Sequence, residues 1–223
     1  MLGWLIDHRS ELPPVGQQGD RPTCLSWAIT AAHEFATRGG PLSVEFQHWN
    51  SEGYFGGRGT ILAASMALRT EGQPPDPQWE YMTHCDEGGA EYAPPDSVIG
   101  PFCLAEIEVG NLEVSAIISH LQVGRLPVVA LRITDSFLAA KGGVVEVDGV
   151  GQDGHAILAV GAAQLSGSEP VGTIQPGDRL ICVRNSWGKD WGVEGHCLMS
   201  ESVLRACGLG IFALRPNASP IFA

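Results

Sequence analysis

Positive charge is scarce in this chain. Thirteen Lys and Arg stand against 25 Asp and Glu, a formal net charge of −12 over 223 residues. A surface of that sign repels phosphate backbones and anionic lipid, so neither a nucleic acid nor a membrane is expected as a partner. No apolar run approaches the roughly 20 residues that a membrane-spanning helix needs. Residues 1–6 are followed at once by Asp7, His8 and Arg9. They lack a basic leader and are too short for a secretory core, so the chain reads as cytoplasmic, or as exported by a route not visible in it. No C-x-x-C pair occurs. His84-Cys85 and His196-Cys197 are adjacent in sequence, which is poor spacing for zinc, so no metal and no other cofactor is expected. Internal repeats and low-complexity tracts are absent as well.

Six cysteines are present: Cys24, Cys85, Cys103, Cys182, Cys197 and Cys207. If one is a free nucleophile, five remain. An odd number disfavours a complete disulfide framework and fits a reducing compartment. The length suits one large domain or two closely apposed lobes, with enough chain to bury a proper core. Twenty-nine Gly and 15 Pro predict many loops.

Residues 1–17 read as an extended lead-in broken by Pro13-Pro14. Thr23 stands at the N-cap position of a helix over 24–36, in which Leu25, Ile29, Ala32 and Phe35 recur at helical spacing. Residues 41–59 read as a loop with aromatic anchors. Thr60 caps a second helix over 61–70. Residues 73–108 are rich in Pro and Gly and show little periodicity. From there the character changes. A helix over 112–124 precedes strands over 127–133, 144–147, 156–160, 180–184, 195–199 and 210–214, and 163–178 reads as a loop. A helical first half and a mostly β second half predict the α+β class, with two lobes and a cleft between them.

Cys24 falls at the mouth of the first helix, among unpaired backbone N–H groups at the positive end of the dipole. That position favours a thiolate, the nucleophilic form. From this stretch alone, a small buried cysteine reads equally well. A nucleophile needs a base, and among seven histidines His155 differs from the rest. It follows residues 151–154 (GQDG) and opens the apolar run 156–160, a rigid mount at a sheet edge. The base needs an orienting acceptor, which Asn185 can supply directly after the apolar strand 180–184. Trp187 could cover that pair and keep water from it. Gln18 lies six residues before Cys24, and its amide with the Cys24 backbone N–H could form an oxyanion hole.

These stretches together resemble the papain-like cysteine peptidases. Gln18-x5-Cys24, Gly154-His155-Ala156 and Arg184-Asn185-Ser186-Trp187-Gly188-x2-Trp191-Gly192 occur in the family's order, and the resemblance spans roughly residues 10–215. It implies Cys24 as nucleophile, His155 as general base and acid, Asn185 as the group that orients it, Gln18 in the oxyanion hole and Trp187 as a shield. It implies a thiolate–imidazolium pair with a thiol pKa of about 3–4, and a peptide or protein as substrate. The fold implied is two-lobed within a single domain, 1–223, with a helical lobe at about 10–108 carrying Cys24 and an antiparallel β lobe at 109–215 carrying His155 and Asn185. Gly57, Met66 and Ala156 are the candidates for the substrate pocket.

The sequence also departs from the family pattern. Arg21 stands where secreted members carry a disulfide cysteine, Pro22 takes a place usually held by Gly, and Leu25-Ser26-Trp27 resembles bacterial members more than plant or lysosomal ones. No inhibitory propeptide is visible ahead of Gln18, so control falls to a removed segment, to delivery or location, or to a protein inhibitor or regulator. Two alternatives to peptide hydrolysis remain open at this point. The same triad could serve acyl transfer or a narrow amide or isopeptide cleavage, or the fold could be an inactive binding module.

Overall fold

The computed structural model describes residues 2–89, 91–100, 102–170 and 174–216. The elements in chain order are β1 (Leu2–Asp7), α1 (Cys24–Thr37), α2 (Val44–Ser51), α3 (Ile61–Thr70), β2 (Ala105–Gly110), α4 (Val114–Gln122), β3 (Val128–Arg132), α5 (Asp135–Ala139), β4 (Val144–Val145), β5 (Gly154–Leu165), β6 (Arg179–Arg184), β7 (His196–Ser200), α6 (Glu201–Cys207) and β8 (Gly208–Pro216).

The strands form one sheet in the order β2-β8-β3-β5-β6-β7-β4, with β1 added to the far half of β5. Every pairing is antiparallel except β4 on β7. The chain is therefore α+β, with the first three helices ahead of all but one strand. Strand β5 is the centre of this arrangement. It pairs with β3 from Gly154 to Leu158, with β6 from Leu158 onward and with β1 at its far end. Its ten residues from His155 to Gln164 are buried but for Gln164, which explains why the sequence there is a continuous apolar run.

Helix α1 packs across β5 and β8. Leu25, Ile29, Ala32 and Phe35 enter the same core as Ile157, Val129 and Phe212. Its other face is buried too, but by polar side chains. Gln73 Oε1 accepts from His33 Nδ1 at 2.8 Å, and Gln73 Nε2 donates to Thr30 Oγ1 at 2.7 Å and to the Ser43 carbonyl at 3.1 Å. Buried polar groups need such partners, and these tie α1 to α2.

Helix α2 replaces the loop expected over 41–59. Ser43 caps it through its hydroxyl, which accepts from the Phe46 N–H at 3.0 Å. Its buried residues include Glu45, Gln47 and His48, so apolar periodicity, the signal on which a helix is read, is missing. Strands β1 and β2 were likewise not expected from residues 1–17 and 73–108. Both lie at a sheet margin and alternate too weakly to stand out. The long hairpin expected as a loop over 163–178 is strand as far as Leu165, and its residues 171–173 lie outside those described.

The turn between α1 and α2 is closed by Glu34, whose carboxylate accepts from the Leu42 N–H at 2.9 Å. Burial pushes the Glu34 carboxyl up to about 7. The folded chain thus holds this proton more tightly than the unfolded chain does. Its contribution is full below the ordinary carboxylate range and is lost as pH rises through about 7, a change of about 3 kcal/mol. Glu34→Gln keeps an acceptor for Leu42 and cannot titrate. Urea unfolding at about pH 4.5 and about pH 8 should show the variant losing about 3 kcal/mol less than the parent; equal losses would contradict the assignment.

Candidate active site

Cys24 is the first residue of α1, reached through Pro22 and Thr23. Thr23 occupies the N-cap position, yet its hydroxyl makes no cap. It pairs with the Tyr81 hydroxyl at 2.6 Å instead. The backbone N–H groups of Ala156, Leu25 and Cys24 itself pull the Cys24 thiol toward its ionised form. Ala156 is the residue after His155, and it lines one cavity with Cys24, so the start of α1 faces the start of β5.

His155 is 6% exposed. Its Nε2 meets Asn185 Oδ1 at 2.7 Å, which leaves Nδ1 as the ring nitrogen not committed to Asn185. Asn185 follows β6 directly, and its N–H is held by the Gly195 carbonyl at 3.0 Å. The same Oδ1 accepts from the Ser186 N–H at 2.8 Å, so the amide is locked in the orientation that presents oxygen to the ring. The Trp187 ring lies 4.7 Å from the His155 ring, and Phe137 packs edge-on against both, 5.7 Å from His155 and 5.5 Å from Trp187. Trp191 backs both rings and donates its indole N–H to the Phe137 carbonyl at 3.2 Å.

These walls act on protonation. Burial pushes His155 down to about 4, with the Asn185 hydrogen bond pulling upward. Burial also raises the Cys24 thiol, against the pull of the three amides. Desolvation thus favours thiol and neutral imidazole, while opposite charges formed side by side would stabilise one another.

Gln18, 7% exposed, is held at four points. Its N–H donates to the Ser186 carbonyl at 2.8 Å, and its own carbonyl accepts from the Tyr81 hydroxyl at 2.8 Å. Its side-chain Oε1 accepts from Ser186 Oγ at 2.7 Å, and Nε2 donates to the Arg21 carbonyl at 2.8 Å. One Nε2 proton is used in this way, and the second is left to donate elsewhere.

A cavity of about 450 Å³ opens between these elements, lined by Cys24 and His155 and by Pro22, Leu25, Gly59, Ile61, Ala130, Ala156, Leu209 and Gly210. Ala156, expected at the pocket, is in this wall. Gly57 and Met66 are not among its lining residues; Gly59 and Ile61 stand there from the same stretch. The structure therefore brings together Cys24, His155, Asn185, Trp187 and Ala156, with Gln18 on the Ser186 side. Sequence reasoning passed over Tyr81, Phe137 and Glu45. Phe137 sits in a short helix capped by Thr134, a weak signal, and Tyr81 lies in a stretch without periodicity. Among the described residues, no three His, Cys, Asp or Glu side chains are grouped to hold a metal ion.

A sequence model of the papain family cysteine proteases matches residues 105–216, the part that holds His155 and Asn185. Cathepsin R of Mus musculus is 26% identical over 234 residues, covering 97% of this chain and 66% of that protein. Procathepsin L of Felis catus is 26% identical over 226 residues, covering 95% and 65%. The chain thus spans about two thirds of the length of these relatives. Among solved structures, xylellain, a cysteine protease from Xylella fastidiosa, superposes with a TM-score of 0.70 at 19% identity, over 96% of this chain and 91% of that one. A Carica candamarcensis cysteine protease solved with E-64 gives 0.67 at 21%, over 96% and 98%. The structures share the fold, the curated relatives align along nearly the whole chain, and the family model takes in half of it: the chain belongs to the papain family of cysteine proteases.

Proposed function

We propose that this protein is a cysteine-type peptidase that cuts peptide bonds through Cys24, His155 and Asn185. The observation that carries this reading is the 2.7 Å bond from His155 Nε2 to Asn185 Oδ1. It commits one ring nitrogen to an acceptor and leaves Nδ1 for a proton exchanged with Cys24, in a cavity that both residues line. Cys24 attacks the substrate carbonyl. The oxyanion that forms is met by the Cys24 N–H and the second proton of Gln18 Nε2. His155 protonates the leaving amine, then takes a proton from water as that water frees the acyl group from sulfur. Asn185 keeps the ring in register, and Trp187 and Phe137 keep water off the His155–Asn185 bond.

The cavity beside Cys24 is walled by aliphatic and small residues, so a peptide presenting a large apolar side chain next to the cut is the substrate class it suits. Hydrolysis rather than transfer is the simpler reading, because the acyl group faces an open cleft and water needs no binding site of its own.

Iodoacetamide at mildly acidic pH should label Cys24 faster than it labels a small-molecule thiol, and Cys24→Ala should lose both the label and the activity. Labelling no faster than the free thiol would sink the activated nucleophile. A protein that labels readily but cleaves nothing in a peptide library would pass its acyl group to an acceptor other than water.

With His155 held near pKa 4, the ring can accept a proton over the whole neutral range. The profile of kcat/KM should therefore rise through about pH 4 and be flat by about pH 5.5, rather than rise at the ordinary histidine value of about 6.5. An acid limb at about 6.5 would contradict the site described.

A side chain added at Gly210 would meet open space, and this residue lines the cavity. Gly210→Leu should cut kcat/KM for a substrate with Phe or Leu at the pocket by about 10-fold or more, since about 1–3 kcal/mol separates fitting from misfitting apolar groups. A substrate with Ala there should be spared, and equal losses on both would place the apolar side chain elsewhere.

A further inference from the structure

Arg21 is a buried cation three residues ahead of Cys24, 6% exposed, and all five of its N–H groups have acceptors. Nη1 donates to Glu45 Oε2 at 2.7 Å and to the Met82 carbonyl at 2.5 Å. Nη2 donates to Glu45 Oε1 at 2.6 Å and to the Tyr92 hydroxyl at 3.1 Å. Nε donates to Glu87 Oε1 at 2.7 Å. Glu45, on α2, is fully buried, and its carboxylate also accepts a hydrogen bond from the Tyr92 hydroxyl at 2.5 Å. Glu87 is also bonded by Arg58 at 2.8 Å and His48 at 3.1 Å. Two arginines and two glutamates thus form an ion-pair knot that joins the Gln18–Thr23 loop and α2 to Met82, Glu87 and Tyr92.

The knot reaches Gln18 by two routes. The Arg21 carbonyl accepts from Gln18 Nε2, so the place of that carbonyl decides where the remaining Nε2 proton points. The guanidinium also lies 5.0 Å from the Tyr81 ring centre, and the Tyr81 hydroxyl holds the Gln18 carbonyl. A guanidinium fastened by five bonds cannot turn without breaking several of them, and its backbone is held with it.

We propose that Arg21, through its buried ion-pair knot with Glu45, is a positioning residue that aims the Gln18 amide at the oxyanion. This rests on the assignment of Gln18 to the oxyanion hole. The role differs from plain stability because it bears on the steps that form an oxyanion, acylation and deacylation. Alkylation of Cys24 forms no oxyanion and should not feel it.

The test compares Arg21→Lys, the charge-neutral pair Arg21→Met/Glu45→Gln, Tyr81→Phe and Gln18→Ala, on a fluorogenic peptide amide with Leu at the pocket and on iodoacetamide. Gln18→Ala should lower kcat by about 10²–10³. The Arg21 variants should lower kcat by about 10-fold or more, with Arg21→Lys least affected, while KM and the alkylation rate stay within about twofold. In the Gln18→Ala background the same Arg21 changes should cost less than about twofold, since the donor they aim is gone. Should the Arg21 variants not fold, Tyr81→Phe decides, because it removes one hydroxyl and keeps the ring; a several-fold fall in kcat with unchanged alkylation supports the proposal. Normal kcat in these variants beside a slow Gln18→Ala overturns the proposal and leaves the oxyanion assignment standing. A full loss repeated in the Gln18→Ala background, or alkylation falling in step with kcat, overturns it too. A normal kcat in Gln18→Ala overturns both assignments together.

Discussion

The site depends on the way α1 lies across β5. Cys24 and His155 are each the first or second residue of a long element, and the two elements are pressed together by a shared core in which Ile29 and Ile157 are fully buried. Neither residue has to be placed by a loop. Cys24, His155 and Ala156 line one cavity, where the two elements meet at their mouths. A side chain mounted at the end of a packed helix or strand is held more narrowly than one on a connection, and a nucleophile and its base need that tolerance.

The enclosure that fixes the geometry also sets an electrostatic conflict. Lowering His155 from 6.5 to about 4 makes its charged form cost about 3 kcal/mol more than in water. Two opposite charges about 4 Å apart attract by about 4 kcal/mol at an effective dielectric of about 20. The terms are of one size, so the balance between a neutral and an ionised pair falls to smaller contributions. The backbone N–H groups of Ala156, Leu25 and Cys24 favour the thiolate, and the Asn185 bond favours the charged ring. The helix mouth therefore matters for more than holding Cys24 in place.

The loop before Cys24 shows another way of holding a chain. Secreted papain-like members carry a cysteine at the place of Arg21; here the six cysteines are all free, and charge does the fastening. Removing one partner of a buried ion pair costs about 3–5 kcal/mol, comparable with losing a disulfide. Such an anchor is indifferent to redox conditions. It also spreads over α2 and the segment 79–92, so a loop of six residues is tied to parts of the chain far from it in sequence.

Much of this was legible in the residues. Helices α1 and α3 announce themselves by apolar spacing, α3 also by its Thr60 cap, and β5 and β6 by apolar runs, because each meets the core with an apolar face. Cys24, His155 and Asn185 stand at the ends of those elements, where motif and element boundary coincide. Helix α2 was not legible, since Glu45, Gln47 and His48 are buried on it, and their partners come from α3, the 79–92 segment and α1. Likewise Arg21 declared itself only as a departure from pattern. The sequence alone determined which residue types sit at the mouths of which elements, because local propensity and spacing are properties of neighbours along the chain. Only the tertiary structure decided that Gly59 and Ile61 rather than Gly57 and Met66 wall the cavity, and that the Arg21 carbonyl accepts a hydrogen bond from Gln18. Those are contacts between segments with no periodic relation to one another, and packing alone sets them.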